Sequence, residues 1–160
     1  MAGQMTDPMK ALILFRAALG AGDITPQKVD IHNDVLVLVD QPQGTPRFTY
    51  ALTENGQAVA VALFVLADPI DGAPCFNIGY SVDDRLRARG LGKLVVQKAF
   101  VELTNGFKRA NVPHLYVEAI VSPDNEPSKK LAYALIAPNA KECTDGESGL
   151  PALQFVKQLF

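Results

Sequence analysis

The chain has 160 residues, a formal net charge of −2 and 48% hydrophobic residues. This length fits one domain spanning residues 1–160, and the composition excludes a generally disordered chain. The slightly acidic balance, with a pI near 5.6, argues against broad electrostatic binding of nucleic acid. No apolar run in the sequence reaches the ~18 residues that a membrane span needs, so we expect neither nucleic acid nor membrane as a partner.

The two cysteines, Cys75 and Cys143, stand in no metal-ligand spacing, so the sequence predicts no metal site. Two thiols this far apart are expected to be free in a reducing compartment. Near the N-terminus, Arg16 interrupts the apolar stretch 11–15, which is too short for the core of a signal peptide. Together these features predict a cytoplasmic protein.

The first half of the chain predicts one helix followed by antiparallel strands. Asp7 and Pro8 can start the helix, and Gly20 is expected to end it. A polar connection over 22–30 follows. Asn55-Gly56 between two β-branched runs predicts a hairpin, because both residues tolerate a positive φ. The expected strands cover residues 35–39, 47–53, 58–66 and 75–82, with turns over 41–46 and 68–74.

The second half predicts alternating helices and strands. Apolar residues at helical spacing indicate a helix over 90–107, with Lys93 and Glu102 among the polar residues expected on its solvent face. A strand over 114–121, a helix capped by Asp124 and running to about residue 135, a loop over 138–149 and a last strand within 150–160 complete the chain. The pattern predicts a mixed α/β (α+β) sheet.

The segment between the predicted strand 75–82 and the long helix is rich in glycine and cations. Gly90 and Gly92 allow a tight turn, and the helix that follows offers unpaired N–H groups and the positive end of its dipole. Such a helix start binds phosphate. Four cations lie within nine residues: Arg85, Arg87, Arg89 and Lys93. The segment therefore predicts an anionic ligand, the alternative being an ordinary connection with solvated arginines.

Two motifs resemble the GNAT superfamily of acyl-CoA-dependent N-acyltransferases. Residues 87–92, Arg-Ala-Arg-Gly-Leu-Gly, fit the family's Q/R-x-x-G-x-G/A motif. Residues 121–128, of the form Val-x-Pro-x-Asn-x-x-Ser, are similar to the family's second signature and most of all to the Rim-like branch of ribosomal-protein N-terminal acetyltransferases. The resemblance covers about residues 34–136 and implies a GNAT-like fold.

The resemblance implies that acetyl-CoA donates an acetyl group to a primary amine by direct attack in a ternary complex. The acceptor would be a small molecule or the N-terminus of a peptide or protein. The pantetheine arm of coenzyme A would lie along the strand that ends at Val82, and backbone N–H groups from Arg87 to Lys93 would hold the pyrophosphate. The implied cofactor-binding residues are Tyr80, Ser81, Val82, Arg87, Arg89, Gly90, Leu91, Gly92, Lys93, Asn125 and Ser128.

The catalytic residues are less well defined by the sequence. Many family members carry a tyrosine seven residues after the motif asparagine, as the acid that protonates the leaving thiolate. Here that position is Ala132, and Tyr133 follows it, rotated by about 100° on a helix. Tyr133 is the candidate acid and Glu118 the candidate base, the alternatives being a surface tyrosine and a solvent-facing strand residue.

Two other functions fit the sequence. A non-catalytic acyl-CoA-binding sensor or interaction module would explain the displaced tyrosine, and a nucleotide-binding α/β domain would need only the phosphate loop. Residues 7–33 and 138–150 are expected to shape the acceptor site. The second segment includes Glu142, Asp145 and Glu147, which suit a cationic acceptor or are ordinary exposed charges. The apolar final segment can pack against a second copy in a homodimer.

Overall fold

A computed structural model describes residues 7–160 of the chain as three α-helices and one eight-stranded sheet. The helices are α1 Pro8–Ala21, α2 Leu91–Arg109 and α3 Glu126–Leu135. The strands are β1 Gln27–Lys28, β2 Val35–Asp40, β3 Arg47–Glu54, β4 Gln57–Ile70, β5 Ala73–Val82, β6 Tyr116–Val121, β7 Lys141–Thr144 and β8 Pro151–Gln158. The order across the sheet is β1-β2-β3-β4-β5-β6-β8-β7, which confirms the predicted mixed α/β class.

The β3–β4 hairpin forms where the sequence predicted it. Asn55 and Gly56 have φ values of 52° and 77°, the positive values that this tight turn requires. The next turn is shorter than predicted, because β4 continues to Ile70 and only Asp71 and Gly72 separate it from β5. The predicted turn over 68–74 is therefore wrong at both ends.

Helix ends and one strand also differ from the prediction. Helix α1 continues past Gly20 to Ala21, and Gly22, whose φ of 74° suits glycine, caps its C-terminal end. Helix α3 is capped by Asn125, whose side chain accepts from the Ser128 N–H, and not by Asp124. The expected loop over 138–149 contains the edge strand β7, which pairs with β8.

All neighbouring strands are antiparallel except β5 and β6, which are parallel and joined by α2. This pair shares only three register positions, ending at Asn77 opposite Glu118. Beyond that point residues 78–82 of β5 and 119–121 of β6 have no partner in each other, while β5 stays paired with β4 and β6 with β8. The sheet therefore opens between its two halves.

The main core lies between the sheet and helices α2 and α3. Its fully buried side chains include Phe64, Val95, Leu103 and Phe155. A smaller cluster packs α1 on the opposite face of the sheet, through Leu12 and Phe15. Because side chains alternate along strands, Phe76 and Val117 face α2, whereas Asn77 and Glu118 lie on the face that carries α1. Within residues 7–160, none of the helices combines the length and apolar character that crossing a bilayer requires.

Three carboxylates, those of Asp30, Asp34 and Glu102, fasten the segment before β2 to helix α2. Asp30 binds Arg109, Asp34 binds Lys98, and Glu102 accepts from the main-chain N–H groups of Ile31 and His32. Glu102 is 5% exposed and also contacts the His32 ring. The prediction that Glu102 lies on the solvent face is therefore wrong. Helix periodicity gives no sign that a distant loop covers this side chain.

A buried carboxylate fixes the connection from β5 to α2. Asp83, 6% exposed, binds Arg85 at 3.1 Å and Arg16 of α1 at 2.6 Å. Its main-chain N–H donates to the Val59 carbonyl of β4. The hydrogen bonds from Arg85, reinforced by Arg16, hold the pKa of Asp83 well below its usual range. Asp83 thus links α1 and β4 to the start of the loop that leads into α2.

We expect Leu103→Ala to lower the free energy of unfolding by about 2–5 kcal/mol, because it leaves a cavity at a fully packed site. Leu94→Ala is the matched control on the same helix, since Leu94 is 36% exposed; it should cost less than about 1 kcal/mol. Urea unfolding followed by circular dichroism measures both. Equal losses for the two variants would contradict the assigned core.

We expect Asp83→Asn to lower Tm at neutral pH. A carboxyl whose folded pKa is depressed stabilises the fold above its unfolded pKa of about 3.9, and this stabilisation is lost as pH falls through the folded pKa. The Tm difference between wild type and variant should therefore shrink as pH falls below about 4. Thermal unfolding across that range measures it, with Asp84→Asn, whose side chain is 72% exposed, as control. A difference that stays constant with pH would refute the assigned role of Asp83.

Candidate active site

The opening between β5 and β6 forms a cleft of about 1730 Å³. Its walls come from the separated parts of the two strands, the first turns of α2 and α3, the start of α1, the end of β4 and the β7–β8 loop. Because the strands part, the cleft is lined from both faces of the sheet. One opening thus connects the face that carries α2 with the face that carries α1.

Most of the predicted cofactor residues line this cleft. They are Tyr80, Ser81, Val82, Arg87, Gly90, Leu91, Gly92, Lys93, Asn125 and Ser128. The exception is Arg89, which lies outside the cleft lining and binds Glu54 of β3 at 3.1 Å. The sequence could not show this partner, which lies 35 positions away.

The start of α2 presents main-chain donors to the cleft. No acceptor in the described part of the chain lies within hydrogen-bonding distance of the Leu91, Gly92 or Lys93 N–H groups, and the first helical bond comes from the Leu94 N–H to the Gly90 carbonyl. These three N–H groups and the helix dipole favour an anion. Gly90, with φ 74°, supplies the turn before them.

Gly92 allows the helix to approach β5 closely. A Cβ at this position would lie 2.9 Å from the Tyr80 ring, closer than real Cβ contacts. The glycine therefore sets the distance between the first turn of α2 and the strand that lines the cleft. Any larger residue must displace the Tyr80 ring.

The four cations predicted around this loop have different surroundings. Arg85 binds the buried Asp83, and Arg87 binds Asp84 at 2.6 Å while lining the cleft. Lys93 lines the cleft and forms no ion pair with any residue in 7–160. Of the four, Arg87 and Lys93 line the cleft, and Arg85 and Arg89 do not. Fewer cations therefore face a ligand in the cleft than the sequence suggests.

Asn125 and Ser128 stand at the start of α3 on the opposite wall. The Asn125 side-chain oxygen caps the helix by accepting from the Ser128 N–H at 3.2 Å. Its amide NH₂ group and the Ser128 hydroxyl form no hydrogen bond with other described residues and can bind a ligand. The sequence singled out both residues but not the capping bond.

Glu118 lies at the closed end of the opening, half-buried and opposite Asn77. Gln154 of β8 donates to its carboxylate at 2.8 Å and orients it. The charge of Glu118 adds to burial in raising the pKa of the neighbouring Cys75 thiol to about 12. Cys75 is therefore a protonated core residue at neutral pH and not a nucleophile. Like Cys143, it is free.

Ala132, at the position where the family carries its acid, and the candidate acid Tyr133 occupy different environments. Ala132 lines the cleft, but the Tyr133 ring packs against Phe155 with centroids 4.8 Å apart and is not among the lining residues. The next residue on a helix is rotated by about 100°, which accounts for the difference. The structure thus places the Tyr133 side chain outside the cleft, 44% exposed.

Several cleft residues were not identified as site residues from the sequence. Asp68 at the end of β4 and Gln154 of β8 line the cleft beside Asp7 and Asp145. No local sequence motif identifies Asp68 or Gln154 as a site residue, because only the order of strands in the sheet brings them to the cleft. Acidic residues in the β7–β8 loop were the one available signal.

The comparisons with known proteins bear on the fold. No family model matches the sequence, and no curated protein is similar enough in sequence to match. Solved structures do match. A ribosomal-protein-S5-alanine acetyltransferase from Vibrio fischeri has a TM-score of 0.50 at 18% identity, over 71% of this chain and 61% of that one.

Two further structures support the same fold. RimL, a ribosomal L7/L12 alpha-N-protein acetyltransferase in complex with coenzyme A, has a TM-score of 0.51 at 15% identity, over 69% of this chain and 61% of that one. A GNAT-family acetyltransferase from Streptococcus pneumoniae has a TM-score of 0.51 at 13% identity, over 97% of this chain and 96% of that one.

The chain spans about three fifths of the Vibrio fischeri protein but nearly the whole of the Streptococcus pneumoniae one. With the mixed sheet, the single parallel pair and the cleft between its strands, these matches show that the chain has the fold of the GNAT acetyltransferases, as the motif resemblance predicted.

Proposed function

We propose that the protein is a cytoplasmic N-acetyltransferase that uses acetyl-CoA and a primary amine. The observation that carries this proposal is the cleft between β5 and β6, which has free main-chain donors at one wall and Glu118 at its closed end. Such a cleft lets two reactants meet from opposite faces of the sheet. A protein of the same fold binds coenzyme A, which supports this choice over other anionic ligands.

The residues present fit coenzyme A. The N–H groups of Leu91, Gly92 and Lys93 suit the diphosphate, with Arg87 and Lys93 supplying charge. Beyond Asn77, the edge of β5 facing the cleft has no strand partner. Its main-chain groups at Tyr80–Val82 can therefore pair with the amides of a pantetheine arm, as with an added strand. We assign Asn125 and Ser128 to the opposite side of this arm. We do not assign Arg89 to the cofactor site, because it binds Glu54 outside the cleft.

Positioning supplies much of the rate in such a reaction. When bound, acetyl-CoA supplies the acetyl group as an activated thioester. A bond from the amine nitrogen to the acetyl carbon would break the C–S bond and release coenzyme A as a thiolate, which would take a proton from water to become the free thiol. We assign Glu118, oriented by Gln154, to take the amine proton directly or through water. Tyr133 is not assigned the acid, because its ring lies outside the cleft.

The acceptor is the less defined reactant. Two relatives named above act on ribosomal proteins, and a protein N-terminus is one form of primary amine. On the α1 face, the cleft is lined by residues of three separate parts of the chain: α1, β4 and the β7–β8 loop. An opening between these parts can admit a small molecule or the end of a polypeptide. We therefore propose a primary amine on a small molecule or a polypeptide.

Lys93→Glu should weaken coenzyme A binding by roughly 30-fold, because it changes the interaction with a phosphate by two unit charges of about 1 kcal/mol each at ~4 Å. Lys28→Glu is the matched control, since Lys28 lies in β1, four strands from β5. Isothermal titration calorimetry with coenzyme A measures both. Equal affinity of Lys93→Glu and wild type would refute the assigned diphosphate site. Tighter binding of ATP or NAD than of coenzyme A would refute the assignment of acetyl-CoA as the acetyl donor.

Glu118→Gln should lower kcat by about 10²–10⁴-fold, the range for loss of a general base. Glu142→Gln, an exposed change in β7, should leave kcat unchanged. The assay follows free thiol released from acetyl-CoA with a panel of amines and peptides. Binding of coenzyme A with no turnover across a broad panel would favour the non-catalytic module.

Tyr133→Phe should retain nearly full kcat in the same assay, because the change removes only a hydroxyl of a ring that packs on Phe155 outside the cleft. The same packing predicts little change in Tm. A kcat reduced a hundredfold or more with unchanged Tm would instead place the hydroxyl in the reaction.

A further inference from the structure

The outer face of helix α1 is apolar. The helix buries Leu12 and Phe15 against the sheet, and its exposed residues recur three and four positions apart. We call these residues the outer stripe of α1: Lys10, Ile13, Leu14, Ala17, Gly20 and Ala21. At about 100° per residue the outer stripe is about 120° wide. This spacing and width are typical of a helix face that packs against another element.

Little charge interrupts the outer stripe. Helix α1 has two charged residues, Lys10 and Arg16, and Arg16 turns towards the sheet to bind the buried Asp83. Ile13 and Leu14 are each more than half exposed. Helices that are apolar on all sides are ordinarily buried, and no element between residues 7 and 160 covers this face. The outer stripe therefore indicates an interface with a second molecule.

The C-terminal segment, which the sequence suggested as a dimer surface, serves the core of its own chain. Strand β8 lies between β6 and β7 in the sheet, and Phe155 is fully buried. Leu159 and Phe160 also pack against the main core. This segment therefore offers a partner less apolar surface than its sequence suggests.

The sizes of the residues make the outer stripe complementary to itself. Its first half carries the large side chains of Ile13 and Leu14, and its second half carries only Ala17, Gly20 and Ala21. Two copies of α1 that run antiparallel place the large residues of each helix against the small residues of the other, the arrangement in which packed helices interdigitate. A parallel pair would oppose large residues to large ones.

The charges at the two ends of α1 favour the same arrangement. Lys10 near the start and Asp23 just after the end form no ion pair within the part of the chain that the structure describes. Each lies roughly 10 Å along the helix axis from Ala17. A two-fold axis beside Ala17 therefore brings each Lys10 to the partner's Asp23 and to the negative end of the partner helix dipole.

We propose that the chain forms a homodimer through the outer stripe, with the two α1 helices antiparallel about a two-fold axis beside Ala17. In such an interface the same surface of both copies meets. A helix of 14 residues is about 21 Å long and about 10 Å wide, which is less than the ~800 Å² per partner of a stable interface. The dimer is therefore weak, with a Kd of about 10–100 µM. It does not depend on the proposed acetyl transfer.

Sedimentation from about 1 µM to about 500 µM protein, on both sides of that Kd, tests the dimer. The average mass of the wild type should rise from 17.2 kDa towards twice that value, whereas Leu14→Glu should stay monomeric, because it buries an unpaired charge in the interface. Val101→Glu is the matched control, an exposed apolar residue of α2, and should associate as the wild type does. Circular dichroism shows that both variants fold.

Two results would overturn the inference. One is association of Leu14→Glu equal to that of the wild type, which would move the interface away from α1. The other is a wild-type monomer at every concentration; flotation of that monomer with phosphatidylglycerol vesicles, if abolished by Leu14→Glu, would give the outer stripe to a lipid surface instead.

A charge exchange tests the antiparallel arrangement. Lys10→Glu and Asp23→Lys should each raise Kd by roughly threefold, because each puts like charges together twice in a symmetric dimer. The double variant restores opposite charges and should return Kd to within about twofold of the wild type. Lys130→Glu, in α3, is the control and should leave Kd unchanged. Single variants that weaken the dimer without rescue in the double variant would overturn the antiparallel pairing.

Discussion

The loss of pairing between β5 and β6 after Asn77 and Glu118 is the constraint on which the rest of the site depends. Each strand keeps a full ladder on its other side, β5 with β4 and β6 with β8. The separation of β5 from β6 therefore leaves main-chain groups without a strand partner only on the edges of the two strands that face each other. In a protein interior such groups must find partners, and here the space between the strands is open enough for a ligand to supply them.

The opening is held from both faces of the sheet. On one face, α2 and α3 pack over the parted strands, and Gly92 lets the first turn of α2 lie against Tyr80. On the other, Arg16 of α1 reaches through to Asp83 at the end of β5. A carboxylate held by two guanidinium groups gives the following loop a fixed starting point. Contacts within the protein thus hold the free N–H groups of α2 at the cleft.

Charge is arranged along the same opening. Arg87 and Lys93 stand beside the start of α2, whereas the carboxylates stand on elements brought in by the sheet order. Positive charge beside the start of α2 favours an anionic ligand at that wall of the cleft. The proposed acetyl transfer would ask little of side chains beyond orientation and a proton acceptor.

The sequence by itself determined the class of fold, the β3–β4 hairpin, the long helix α2 with its glycine-rich start, and a group of residues that line the cleft, ten of the predicted cofactor residues and Glu118. These features depend on neighbours in the chain: hydrophobic period, a turn dipeptide, glycines before a helix. Only the tertiary structure decided that Arg89 binds Glu54, that Glu102 is buried under residues 31–32, that Tyr133 packs on Phe155, and that Asp7 and Asp68 join Glu118 in the cleft. Each of these contacts depends on the order of strands and on partners far apart in the chain, and neither is encoded in the local pattern of residues.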